Sequence, residues 1–491
     1  MSNPTNTTTQ KIRAVGLECK FSTHTINLAD ETADALFVKE SVHLSDRTTR
    51  SRLVMKPNVE RDFYITRPGY RNHKDKKEYE YVTRLQKNTC TQRQLPTRIA
   101  RALGVGYNNL NLRHLARSPY LYGTDISITA LEKHKYQTKW PECVSENTLA
   151  VIDIETNVLD GSGDILCISL TMRSKCVLVV TRKFLGTTNN PEEKIQAAFT
   201  KYLGHYQQSR NINLEIAIVD TPGLAVKKIM DYAHDWKPDW LVAWNINFDL
   251  KEMFTALERE HMSVADVFCD PSVPPEYRVA DYIEGPKQKK TASDRYMSLN
   301  PWERWHTFKV PSCSYWICAM STYAFIRKAE GQESSYGLDA ILHKVLGERK
   351  LKFDVADGYT KLEWHQFMQA NYKVEYLIYN LFDCIGVELL DEKTSDLRIT
   401  LPELIGVSDY SNFNSTPRQL ADDLHFAYQA EEQPGIIAST SDQMFDELDE
   451  ITVSMDGWII TLATHCNVDN GLKIIEEFPD LSTLIYGWVA D

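Results

Sequence analysis

Leu149-Ala150-Val151-Ile152-Asp153-Ile154-Glu155 is an apolar run that ends in two carboxylates. Side chains alternate faces along a strand. Asp153 and Glu155 therefore leave by one face, while Ile152 and Ile154 turn to a core. Downstream, the apolar pattern predicts strands at 165–172 and 176–182, joined by the turn Arg173–Lys175 as a hairpin. A helix at 191–206 follows, with acids in its first turn. Next come a strand at 214–220, a helix at 224–236, a strand at 241–244 and a helix at 248–260. Strands alternating with helices indicate an α/β domain. Pro271, Pro274, Pro275, Pro286, Pro301 and Pro311 mark 270–316 as an insertion carrying a hairpin. Helices resume at 317–330, 336–347 and 363–395. Upstream, residues 11–60 suggest short strands and turns. Beyond 398 the chain is acidic, with strands expected at 453–462 and 484–489.

The 491 residues exceed one core, and two to four domains are expected. No apolar stretch is long enough to span a bilayer. The polar segment Met1–Gln10 lacks the features of a secretory signal. The ten cysteines form no CxxC pair and no zinc-type cluster, which fits free thiols in a reducing, cytoplasmic compartment. Net charge is −12, yet residues 1–142 carry 24 Lys+Arg against 14 Asp+Glu, and residues 401–491 carry 2 against 17. A basic N-terminal region can meet phosphates, because local charge sets that attraction; a solvated basic face is the plainer alternative.

Two later motifs give the acidic pair its meaning. Asn245-Ile246-Asn247-Phe248-Asp249 follows the strand at 241–244. It places Asp249 at a strand end near a helix start, where ligands bind in open α/β sheets. Tyr379-Asn380-Leu381-Phe382-Asp383 lies in a helical pattern, and its Tyr379 and Asp383 share a face at i, i+4. Adjacent carboxylates repel unless a cation lies between them. Asp153, Glu155, Asp249 and Asp383 together suit two Mg²⁺ or Mn²⁺ ions and phosphodiester hydrolysis, with Tyr379 orienting the attacking water. Each motif alone has an ordinary explanation: an edge pair, a first-turn acid, a packing tyrosine. Their joint order carries the reading.

These residues resemble the DEDD 3′–5′ exonucleases of the tyrosine subclass, which have an RNase H-like fold. More narrowly, the chain is similar to the N-terminal half of family B DNA polymerases of large tailed phages. Arg61–Pro68 (RDFYITRP), 118–126 (SPYLYGTDI) and 334–353 (SSYGLDAILHKVLGERKLKF) extend the similarity from about residue 50 onward. The resemblance implies that Asp153, Glu155, Asp249 and Asp383 are metal ligands and Tyr379 the water-orienting residue. The second motif departs from that family's usual N-x-x-x-F-D by one residue. This leaves open whether Asn245, Asn247 and Phe248 meet DNA.

The resemblance implies an N-terminal polymerase-type β-rich domain at 1–147, an exonuclease domain at 148–397, and at 398–491 a return to the N-terminal domain plus the start of a palm. No segment like D-x-x-S-L-Y-P-S, K-x-x-x-N-S-x-Y-G or D-T-D-S occurs. Ile485–Asp491 resembles the approach to the first palm motif. The expectation is therefore a split polymerase, or a truncated product. A second chain would carry palm, fingers and thumb and cover apolar patches at Trp458-Ile459-Ile460 and Leu484-Ile485-Tyr486. The expected function is 3′–5′ proofreading of primer–template DNA, in the cytoplasm of an infected host cell if phage-encoded. The alternatives are a silent DNA- and polymerase-binding scaffold or an RNA-trimming enzyme. Lys287, Lys289 and Lys290, followed by Trp302 and Trp305, suggest a strand-holding hairpin, or a solvated loop with two core tryptophans.

Overall fold

The computed structural model describes residues 12–106, 110–290, 295–413 and 416–438. At its centre lie six strands: β1 (Leu149–Thr156), β2 (Ile165–Met172), β3 (Lys175–Thr181), β4 (Asn213–Val219), β5 (Trp240–Ala243) and β6 (Tyr315–Cys318). Their order across the sheet is β4-β3-β2-β1-β5-β6. β2 runs antiparallel to both β1 and β3, whereas β3/β4, β1/β5 and β5/β6 are parallel. The β2–β3 hairpin forms as the spacing predicts. Its turn is tighter than expected, with Arg173 at φ +55°.

Four helices cover this sheet, α1 (Pro191–Arg210), α2 (Pro222–Trp236), α3 (Ile246–Arg259) and α5 (Lys373–Thr394), and α4 (Lys361–Asn371) packs on α5. α5 packs on β1, β2 and α1, and α2 packs on β2, β3 and α3. β2 is buried at every position but Met172, as a strand covered on both faces must be. α5 is buried all round from Tyr376 to Glu388, the mark of a core helix rather than a surface one. At Gly386 an added Cβ would lie 3.2 Å from Leu342, so a glycine lets the helix Leu338–Leu346 approach α5 closely.

β1 is flanked by β2 on one side and by the sequence-distant β5 on the other. At such a point the connections leaving neighbouring strands diverge and open a crevice beyond the strand ends. Asp153 and Glu155 sit near the end of β1, and α3 begins just after β5.

Three readings change here. The helix expected at 363–395 is two helices, because Tyr372 adopts φ −131°, ψ 56° and ends α4 before α5 starts. Residues 315–318, assigned to the insertion and the following helix, form the sixth strand. The N-terminal strands are long rather than short: Ala14–Ile26, Asp34–Leu44 and Thr49–Pro57 pair as one antiparallel sheet. Buried polar side chains hide their pattern. Lys39, for example, is wholly buried and donates to the carbonyls of Lys237 (2.8 Å) and Cys313 (2.7 Å), tying that sheet to the loops around β5 and β6.

Tyr79–Tyr81 pairs with Gly435–Ile437. Gln288–Lys290 and Tyr296–Ser298 form a hairpin that belongs to a different compact unit from the central sheet. The strands expected at 453–462 and 484–489, and the apolar patches beside them, lie outside the described residues. Among the described residues no helix is long and apolar enough to cross a membrane. The described cysteines are free, and all but Cys143 are buried.

Candidate functional site

The end of β1 and the middle of α5 bring three acids together. One carboxylate oxygen each from Asp153, Glu155 and Asp383 lie within 4.8 Å of one another. Asp153 and Glu155 are half-buried and Asp383 is buried. Alternation on β1 supplies two of them, and α5 supplies the third across the β1–α5 packing interface.

Each acid is held by one oxygen. Asn380 Nδ2 donates to Asp153 Oδ2 at 2.6 Å, and its own Oδ1 accepts from the Ser169 hydroxyl on β2. The Tyr376 hydroxyl donates to Glu155 Oε2. Lys350 Nζ donates to Asp383 Oδ2 at 2.5 Å. The remaining oxygen of Asp383, Oδ1, is buried and has no hydrogen-bond partner among the described residues. A buried carboxylate oxygen without a donor is costly. In a side chain that shares its site with two further carboxylates, it is the kind of group that a hard divalent cation satisfies. The donor set, all oxygen, fits Mg²⁺ or Mn²⁺.

Asp249 stands beside this trio rather than in it. It lies in the first turn of α3, is 3% exposed, and its backbone N–H bonds to the carbonyl of Asn245. It feels the charge of Glu155 and acts on Asp153. Burial pushes its carboxyl up to about 8, against the pull of the Asp249 and Ile154 backbone N–H groups. Burial likewise raises Glu155 to about 7, opposed by the Tyr376 hydrogen bond and assisted by Asp383. Asp153 is raised well above the usual carboxylate range, by burial first and then by Asp383, Asp249 and Glu155. Burial also raises Asp383, although the Lys350 ammonium opposes it. Burial and mutual repulsion act together, as they do at sites tuned for chemistry.

Tyr379 is buried, tilts against Trp364 at 4.7 Å between ring centres, and accepts from Lys350 Nζ at 3.0 Å. Lys350 thus joins the tyrosine to Asp383. Its own place is set by Asp339, which accepts from the Lys350 backbone N–H at 3.0 Å and from Arg349 at 2.6 Å. The motifs alone did not single out Lys350, since no spacing ties it to Asp383. Tyr376 and Asn380 were overlooked too, although both fall at helical spacing from Asp383 and share its face.

The other candidates are dispersed. Asn247 Oδ1 accepts from the Tyr282 hydroxyl at 2.8 Å, and Asn245 precedes α3 without a side-chain cap bond. Phe248 is 44% exposed beside the buried Asp249. Lys287 and Lys289 are exposed; Lys289 and Lys290 lie in the separate hairpin. Trp305 is a core residue: its Nε1 donates to the Tyr410 carbonyl at 2.9 Å, and its ring packs on Phe325, Tyr410 and Phe413. Trp302 stacks on Tyr336 at 4.6 Å. Packing within the fold thus accounts for both rings.

The raised Asp249 carboxyl makes a stability prediction. A folded-state value above the unfolded one means that the native state holds the proton longer, so stability falls as pH rises from about 4 towards 8. Asp249→Asn removes that penalty. In EDTA, the Tm of the variant minus that of the wild type is expected to grow by a few degrees between pH 5 and pH 8.5. Parallel curves would mean that Asp249 ionises unhindered.

No protein-family model matches the chain, and no curated protein matches it.

Proposed function

We propose that this chain is a metal-dependent 3′–5′ DNA exonuclease of the DEDD tyrosine type, built on an RNase H-like sheet and editing primer ends for a family B-type polymerase. The observation that carries the reading is the trio Asp153, Glu155 and Asp383, with oxygens within 4.8 Å and a buried Asp383 Oδ1 that has no hydrogen-bond partner among the described residues. The strand order supports it as well: a hairpin partner antiparallel to β1 on one side, and parallel strands on the other.

In this reading Asp153, Glu155 and Asp383, with Asp249 beside them, hold Mg²⁺ or Mn²⁺. Bound, such ions acidify a water and stabilise the leaving 3′ oxygen. The water oxygen bonds to phosphorus, the bond to the 3′ oxygen breaks, and that oxygen leaves with a proton. Tyr379 accepts from Lys350, which leaves its own O–H free to donate. Burial holds that phenol well above its ordinary value, so it acts as a neutral hydrogen-bond donor that aims the water rather than as a base. Lys350 offsets part of the charge on Asp383. The exposed ring of Phe248 offers a stacking face for the terminal base.

One observation favours the second reading, a silent DNA-binding scaffold. The Lys350 ammonium already sits on Asp383, and a built-in cation there would meet part of the site's charge without chemistry. The Asp153→Ala/Glu155→Ala double variant separates the two. On a 3′-labelled single strand the nuclease reading expects activity to fall at least about 10³-fold, with DNA affinity kept within about threefold. A wild-type chain with no Mg²⁺- or Mn²⁺-dependent release of mononucleotides would leave the scaffold.

The hairpin of Gln288–Lys290 and Tyr296–Ser298, with exposed Lys287 and Lys289, is assigned to holding a separated primer strand. Deleting 287–295 is expected to slow degradation of a paired primer more than of a free single strand. Equal rates on both would remove that role.

A further inference from the structure

Glu155 is held by a connected set of side chains that the three motifs do not include. The Tyr376 hydroxyl donates to Glu155 Oε2. A phenol has one proton and two lone pairs. With its proton committed to Glu155, its oxygen can only accept from its other two neighbours. One is Gln369 Nε2 at 3.1 Å; the other is His365 Nδ1 at 2.8 Å. The count therefore fixes the His365 tautomer, with the hydrogen on Nδ1. Gln369 has no freedom either: it is wholly buried, its Nε2 also donates to the Thr156 carbonyl at 2.8 Å, and its Oε1 accepts from the Val158 N–H at 3.1 Å.

Every capacity of the Tyr376 hydroxyl is thus used. The chain that fixes it runs from the backbone just after Glu155, through α4, to the first turn of α5. The break at Tyr372 makes this possible. One continuous helix would carry His365 and Gln369 away along its axis, about 1.5 Å per residue. Ending α4 at Asn371 folds it back, so that 365, 369 and 376 converge on one oxygen.

We propose that Tyr376, oriented by His365 and Gln369, is the positioning residue for Glu155: it fixes Oε2 and reserves Oε1 for the divalent cation. This rests on reading the trio as a metal site. It goes further by assigning the orientation of one ligand to residues outside the motifs. Such outer partners commonly set metal affinity by 10–100-fold. Tyr376 touches neither substrate nor the reacting phosphorus in this account, so its effect passes through Glu155 alone.

The test uses the full chain with Mn²⁺ as the probe. Mn²⁺ affinity is measured by calorimetry for the wild type, Tyr376→Phe, His365→Asn and His365→Leu, alongside kcat and KM on a single-stranded oligonucleotide. Tyr376→Phe is expected to bind Mn²⁺ 10- to 100-fold more weakly, to recover part of its kcat at high Mn²⁺, and to keep its KM for DNA within about twofold. Asn places an amide N–H where Nδ1 stood, so His365→Asn is expected to retain more Mn²⁺ affinity than His365→Leu. If Tyr376→Phe misfolds, the His365 pair decides: equal affinities in Asn and Leu overturn the proposal. Unchanged Mn²⁺ affinity in a folded Tyr376→Phe also overturns it. A wild type that binds Mn²⁺ but cuts no DNA, with the variants weakened as stated, would end the nuclease reading and leave the positioning role standing.

Discussion

Carboxylates gathered in a buried pocket are the constraint on which the rest depends. At 4.8 Å, two like charges repel by about 3 kcal/mol at an effective dielectric constant near 20, before any cost of taking them out of water. No fold keeps such a group together without a reason or without partners. Here each acid has one: Asn380 on Asp153, Tyr376 on Glu155, Lys350 on Asp383, and the N–H groups of Ile154 and of Asp249 itself on Asp249. None of these cancels the repulsion, and all four carboxyls remain raised. The divalent cation proposed for this site would supply the charge that these partners leave unmet.

α5 does two jobs, because it is buried all round. Its apolar length fills the space between β1, β2 and α1 and so fixes its height and rotation. That placement then delivers Tyr376, Tyr379, Asn380 and Asp383 to the end of β1. A helix that packed less completely could tilt and spread the acids. The buried surround of the site is therefore part of its chemistry, because rigidity is what holds ligands to a geometry.

Much of this was legible in the sequence, and the parts that were not have physical causes. The DxE alternation on β1 placed Asp153 and Glu155 correctly, since a period of two admits no other arrangement. The i, i+4 pair placed Tyr379 and Asp383 on one face, though it hid that the tyrosine meets Lys350 before any acid. The Tyr372 break was missed because 363–395 has no proline or glycine at that point, and only a local backbone change ends the helix. The long N-terminal strands were missed because residues such as Lys39 are buried against pattern, held by backbone carbonyls distant in sequence. Lys350 was invisible for the same reason: its partners are tertiary. β6 was masked by the proline-rich run before it.

The central claim is that these acids form a cation site, held partly protonated until a cation arrives. Calorimetric titration with Mn²⁺ in buffers of different ionisation enthalpy tests it most directly, because it counts protons released per ion bound. With Glu155 raised to about 7 and Asp249 to about 8, binding at pH 6.5 is expected to release at least one proton, and binding at pH 9 markedly fewer. Saturable binding without proton release at pH 6.5, or no binding at either pH, would contradict the account.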